Sequence, residues 1–191
     1  AVYWAQKAAD QGDAKGQYHL GHMYENGLGV KQDYSEAVHW YRKSAEQGDA
    51  GGQAFLGVMY HNREGKGLPR DYNEAVKWYR MAAEQDYPKG QSGLGVMYFG
   101  GLGVKQDFSQ AIHWFRKSAE QGLPEGQYWL GLMYDVGFAV KRNDIIAKQW
   151  YTKACNGGFK KACENLESIK TENPTKSIND LPQEDKKEIV I

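Results

Sequence analysis

Trp4, Trp40, Trp78, Trp114 and Trp150 stand 36, 38, 36 and 36 residues apart. Recurrence at that period marks an array of stacked supersecondary units, because one copy alone cannot bury its apolar face. Neighbouring residues keep the phase: Leu20-Gly21-x-Met23-Tyr24 returns as Leu56-Gly57-x-Met59-Tyr60, Leu94-Gly95-x-Met97-Tyr98 and Leu130-Gly131-x-Met133-Tyr134. The 191 residues therefore divide into repeats at 13–48, 49–86, 87–122 and 123–158. Residues 1–12 read as the end of an earlier repeat and 159–170 as the start of a fifth, so the array spans 1–170 and leaves 171–191 as a polar tail. The two extra residues of the second repeat fall in its loop between Tyr60 and Asp71, where added length costs little.

Each repeat reads as two helices. Gln17, Leu20, Gly21 and Tyr24 follow the i, i+3, i+4, i+7 spacing of one helix face, and Ala37, Trp40, Tyr41, Ser44 and Ala45 do the same further on. Asp33-x-x-Glu36 and Asp71-x-x-Glu74 place a capping side chain and a carboxylate at the start of the second helix; Asp107-x-x-Gln110 keeps the form, and Asn143 keeps the cap alone. Gly48, Gly122 and Gly158 lie just past the second helix, and Pro88 and Pro124 suit the first turn of the next one. Glycines inside the first helix, at 16, 52, 90 and 126 and at 21, 57, 95 and 131, cost about 1 kcal/mol each relative to Ala, which implies close helix contact. The five phased tryptophans are expected in the core.

These residues resemble the Sel1-like repeat family, whose pattern runs Ala-x-x-x-Leu-Gly-x-Met-Tyr, a Gly-x-Gly-Val loop, Asp, and Ala-x-x-Trp-Tyr-x-x-Ala-Ala. The resemblance covers residues 1–170 and departs from the pattern mainly where Gly16, Gly52, Gly90 and Gly126 stand at a usual Ala. The related tetratricopeptide repeat has a period of about 34 and lacks the Leu-Gly-x-Met-Tyr signature. The resemblance implies an all-α, right-handed α-solenoid acting as a non-enzymatic adaptor or scaffold for a protein or peptide partner, commonly bacterial and often in signalling or host interaction. It also bears on Cys155 and Cys163, which occupy the phases of Ala45 and Gln53 and should be neighbours. The secreted cysteine-rich branch of the family carries a bridge at this spacing of eight. A periplasmic or secreted protein is expected to hold the disulfide, a cytoplasmic one two thiols. Some cysteine-rich bacterial relatives have been associated with penicillin binding and weak β-lactam hydrolysis. A β-lactam-binding enzyme therefore stands as an alternative, and a structural spacer as another.

Composition narrows the partners. Lys plus Arg and Asp plus Glu number 24 each, which leaves no cationic surplus for nucleic acid. Mean hydropathy is −0.75, and no apolar run approaches the roughly 18–20 residues of a membrane span. No signal segment opens the sequence, and Ala1 falls in mid-helix phase, which points to a fragment or a trimmed chain. Two cysteines exclude a cysteine-only zinc site. The sequence lacks the metalloprotease, phosphate-loop, dinucleotide and acyl-serine motifs, so neither catalytic residues nor a cofactor are expected.

The face opposite the Leu-Gly-x-Met-Tyr stripe collects residues that change from repeat to repeat: Tyr18, His19 and His22; Ala54, Phe55 and Val58; Ser92, Gly93 and Val96; Tyr128, Trp129 and Leu132. In helical-pair solenoids the first helix lines the concave side. Tyr18, His19, His22, Phe55, Val58, Val96, Tyr128, Trp129 and Leu132 are thus the candidate partner-binding residues, an apolar, aromatic groove of the kind peptide recognition uses. Some of them packing between repeats is the alternative. His19 and His22 lack a third ligand and are read as groove lining, not as a metal site. His39 and His113 belong to the outer surface. Trp129, out of phase with the other tryptophans, is expected as an exposed anchor. The apolar tip Ile189-Val190-Ile191 reads as a disordered end or as a segment that docks in the groove.

Overall fold

The computed structural model describes residues 2–62 and 68–171. Among these are ten α-helices and no strand: α1 (Val2–Asp10), α2 (Ala14–Asn26), α3 (Tyr34–Glu46), α4 (Ala50–His61), α5 (Tyr72–Glu84), α6 (Pro88–Gly100), α7 (Phe108–Glu120), α8 (Pro124–Val136), α9 (Asp144–Asn156) and α10 (Lys160–Thr171). The even-numbered helices are the first helices of their repeats, and α3, α5, α7 and α9 the second. The all-α solenoid class required by the period is what the chain adopts. The described residues divide within α6 into two compact units, one ending at Gly93 and one starting at Leu94. The tail from residue 172 onward, with its Ile189-Val190-Ile191 tip, and residues 63–67 of the long second-repeat loop lie outside the described residues.

The second helices start where the capping signals place them. Asp33 Oδ1 accepts from the Ser35 and Glu36 amides at 2.9 and 3.1 Å, and Asn143 Oδ1 from Ile145 and Ile146 at 3.1 and 3.0 Å. Each bond satisfies an amide the first turn leaves without a helical partner. Glu74 does not reach back to close a capping box; its carboxylate accepts from Trp78 Nε1 at 3.0 Å. First helices are capped as well, Asp13 taking the Gly16 amide at 2.6 Å and Asp49 the Gly52 amide at 2.7 Å. Where Gly48, Gly122 and Gly158 end their repeats with positive φ, Asp86 does so at φ 61°. Its side chain is held by Gln91 Nε2 at 2.7 Å.

The helical glycines are explained by what lies against them. A Cβ on Gly21, Gly57, Gly95 or Gly131 would stand 2.8, 2.8, 2.6 or 2.7 Å from a ring carbon of Tyr41, Tyr79, Phe115 or Tyr151. That aromatic, one residue after the phased Trp, is buried in each hairpin. Tyr41, Phe115 and Tyr151 are 0% exposed. The tryptophans sit at the margin instead. Trp40 and Trp78 are buried as expected, Trp114 and Trp150 are half-buried, and Trp4 is 67% exposed. A lysine lies over each ring at the hairpins, Lys43, Lys77, Lys117 and Lys153 at 4.7, 4.9, 5.2 and 4.2 Å from the centroid. This covers the outer face by a cation–π contact.

Successive repeats are tied by glutamines. Gln17, Gln53 and Gln127 each donate from Nε2 to the carbonyl eight residues earlier, that of Ala9, Ala45 and Ala119, at 3.3, 3.3 and 3.4 Å. Gln47 and Gln85 add a bond to the Gln17 and Gln53 carbonyl oxygens at 2.7 and 2.8 Å. At the fifth repeat the same two positions are Cys155 and Cys163, joined by a disulfide.

Candidate partner-binding face

In the first unit the variable residues of α2 and α4 converge. The Tyr18 ring lies 5.5 Å from Phe55 and 6.1 Å from Tyr41, and Phe55 stacks on Tyr41 at 5.4 Å. His22 meets Phe55 edge-on at 6.1 Å. Tyr18 lies across α4 where the chain has Gly51; a Cβ there would come within 3.2 Å of its ring. Tyr18, His22, Phe55 and Val58 remain half-buried, and His19 is exposed. Burial, then a hydrogen bond with Tyr87, pushes the Tyr18 hydroxyl well above its ordinary value. Below it, Tyr41 donates to Glu25 Oε2 at 2.7 Å.

The second unit treats the corresponding positions differently. Val96, Tyr128, Trp129 and Leu132 were expected on an open groove, and all four are buried. Trp129 stacks on Phe115 with centroids 5.5 Å apart and planes 8° from parallel, and its ring is 5.4 Å from Phe99. Tyr128 packs 5.8 Å from Tyr151 and 4.9 Å from Phe159. The physical reason is the register between repeats. The residue preceding the Leu-Gly pair faces the deep aromatic of the repeat before it: Phe55 faces Tyr41, Gly93 lies against Tyr79, and Trp129 faces Phe115. That position fills the joint between repeats. A sequence signal existed in the trade of sizes, ring against ring at 55 and 129 and glycine against ring at 93.

Among the described residues no group of three or more His, Cys, Asp or Glu could hold a metal ion. No described helix is long and apolar enough to cross a membrane.

The Sel1 repeat family model matches residues 1–13, 14–49, 50–87, 88–123 and 124–159. The chain belongs to the Sel1 repeat family. Sel1 repeat proteins typically mediate protein–protein interaction, and the family is generally non-enzymatic. A protective antigen of uropathogenic Escherichia coli with an SLR fold is 39% identical, with TM-score 0.74 over 88% of this chain and 36% of that one. This chain thus spans about a third of the antigen. A Sel1 repeat protein from Oxalobacter formigenes is 32% identical (TM-score 0.70; 87% of this chain, 74% of that one). Cysteine rich protein B of Helicobacter pylori is 26% identical (TM-score 0.54; 72% and 97%). No curated protein matches the chain.

Proposed function

We propose that this chain is an interaction module whose first unit holds a segment of a partner protein on the variable face of α2 and α4, with Tyr18, His22, Phe55 and Val58 as the contact and His19 at its edge. The observation that carries the reading is that these rings and Val58 stay half-buried while the neighbouring Leu20, Ala54 and Leu56 are buried completely. Partly exposed aromatics on a rigid helical face make good anchors, because little side-chain entropy remains to be lost on binding. Val96, Tyr128, Trp129 and Leu132 act in this reading through packing. The bridge between Cys155 and Cys163 and the bacterial relatives support an oxidising compartment, periplasmic or extracellular.

The test is selection of displayed peptides on the purified protein, followed by affinity measurement on variants. Tyr18→Ala and Val58→Ser are expected to weaken a selected peptide by about 30-fold, near 2 kcal/mol, with the helical signal kept. His39→Ala, on the outer side of α3, is expected to change nothing. Affinity that survives both face variants overturns the proposal.

A further inference from the structure

We infer that α10 is a redox-controlled cover: a dithiol that reduces the Cys155–Cys163 bridge releases α10 from α9 and bares Tyr128 and the Tyr151 hydroxyl, while α7, α8 and α9 keep their fold. Position by position, α10 is held less firmly than α8, the first helix before it. Among the described residues α8 packs on both α7 and α9, whereas α10 packs chiefly on α9. Leu130 and Met133 of α8 are buried; Leu166 and Ile169, at the same places of α10, are half-buried. Where Trp129 lies flat on the Phe115 ring, α10 has Asn165, whose side chain hydrogen-bonds with the Tyr151 hydroxyl. Arg116 of α7 reaches Tyr134 of α8 at 3.3 Å, but Thr152 stands at the place of Arg116 in α9 and turns back to the Lys148 carbonyl at 2.7 Å. Gln127 ties α8 to the Ala119 carbonyl at 3.4 Å, and in α10 the place of that glutamine is taken by Cys163. Of the ties that fasten α8, the disulfide is thus the replacement on which α10 depends.

What lies beneath the cover repeats the construction of the first repeat. Tyr128 is 5.8 Å from Tyr151, which donates to Asp135 at 3.2 Å; Tyr18 is 6.1 Å from Tyr41, which donates to Glu25 at 2.7 Å. Tyr18 is half-buried, but Tyr128 is closed off by Phe159, 4.9 Å away and inside the loop that the bridge pins. Both cysteines are half-buried, so a reductant meets them at the surface. A thiolate of the dithiol attacks one bridge sulfur, and the other leaves as a thiolate and takes a proton. The second thiol of the reductant then resolves the mixed disulfide, leaving two cysteine thiols and the reductant as its own disulfide. Without the cross-link, opening of α10 regains the chain entropy that the bridge withheld, and the most weakly packed helix opens first.

The experiment follows hydrogen exchange on the full chain as oxidised protein, after treatment with dithiothreitol, and again after reoxidation. Reduction is expected to speed exchange of the α10 amides about 50-fold, with those of α7 and α8 unchanged and reoxidation restoring the first pattern. Tyr128 is read separately by tyrosine nitration mapped to the peptide, on a variant carrying both Cys155→Ala and Cys163→Ala, which needs no reductant. Tyr128 is expected to be nitrated in that variant and spared in the oxidised parent, while protection of α7 and α8 shows that the variant is folded. If the variant does not fold, exchange of the reduced parent decides alone. Unchanged protection of α10 on reduction overturns the inference, because packing then holds the helix. Loss of α8 protection together with that of α10 overturns it as well, since the bridge then supports the whole second unit, and so does a folded double variant in which Tyr128 stays unmodified.

Discussion

Tyr151 donates its hydroxyl hydrogen to Asp135 Oδ2 at 3.2 Å, with both side chains buried in the second unit. The first repeat holds Tyr41 and Glu25 at these positions, 2.7 Å apart. The third holds Phe115 and Phe99, whose rings meet at 6.4 Å. In the fourth repeat both partners are buried, and a buried acceptor that loses its donor costs more than the bond returns when made.

Tyr151→Phe is accordingly expected to cost about 1–3 kcal/mol, the range for stranding a buried polar group. Tyr41→Phe is expected to cost less, since half-buried Glu25 can turn to water. Phe115→Tyr places a hydroxyl against Phe99 and Trp129 and should also destabilise. Urea unfolding of the three variants gives the order, and a larger loss for Tyr41→Phe than for Tyr151→Phe contradicts it.

The same tyrosines set an alkaline limit. Burial first, and then the neighbouring carboxylate charge, raises the Tyr41 and Tyr151 hydroxyls above the ordinary value of 10.0. Once pH exceeds that value, the unfolded chain holds fewer protons than the folded one, so the unfolding free energy falls as pH rises; below it the stabilisation is complete. Unfolding midpoints are expected to be flat up to about pH 9 and to drop above about pH 10, less steeply in Tyr41→Phe and Tyr151→Phe. A slope unchanged in both variants places the titrating groups elsewhere.

Trp129→Ala is expected to cost on the order of 3–5 kcal/mol, as the truncation of a large ring in the joint between repeats. Trp114→Ala should cost less, because that ring is half-buried at the margin. Denaturant unfolding of the pair decides it: a Trp129→Ala protein that melts like the parent puts the ring on an open face after all.

The period, the paired helices and their caps were legible because each rests on residues close in sequence. Asp33, Asp71, Asp107 and Asn143 act within their own first turn. The burial of Trp129 was not legible from its helix alone. Helical phase says which side of α8 the ring leaves from, but the depth of that side is decided by Phe115 in the preceding repeat. Trp114 and Phe115 pose the same problem in miniature. Both are large and adjacent, and the gap left by Gly95 is what selects Phe115 for the interior. On the candidate face, Tyr18 and His22 were readable as changeable positions. The bond between Glu25 and Tyr41 joins residues of two helices and needed the fold.

The final prediction concerns the joint between α9 and α10. Cys155 and Cys163 replace the Ala–Gln pair whose side chain-to-carbonyl bond ties the earlier repeats. If the bridge does the work of that bond, Cys163→Ala should free α10 to exchange its amides rapidly, with a loss of about 2–3 kcal/mol for a loop this short. The double variant Cys155→Ala with Cys163→Gln rebuilds the glutamine tie. It should keep α10 protected in reducing and oxidising buffer alike, whereas the parent loses protection only on reduction. Hydrogen exchange resolved to residues 160–171 reads all three proteins. Full protection of α10 in Cys163→Ala shows that Ala162, Leu166 and Ile169 dock the helix by packing alone, with no need of either tie.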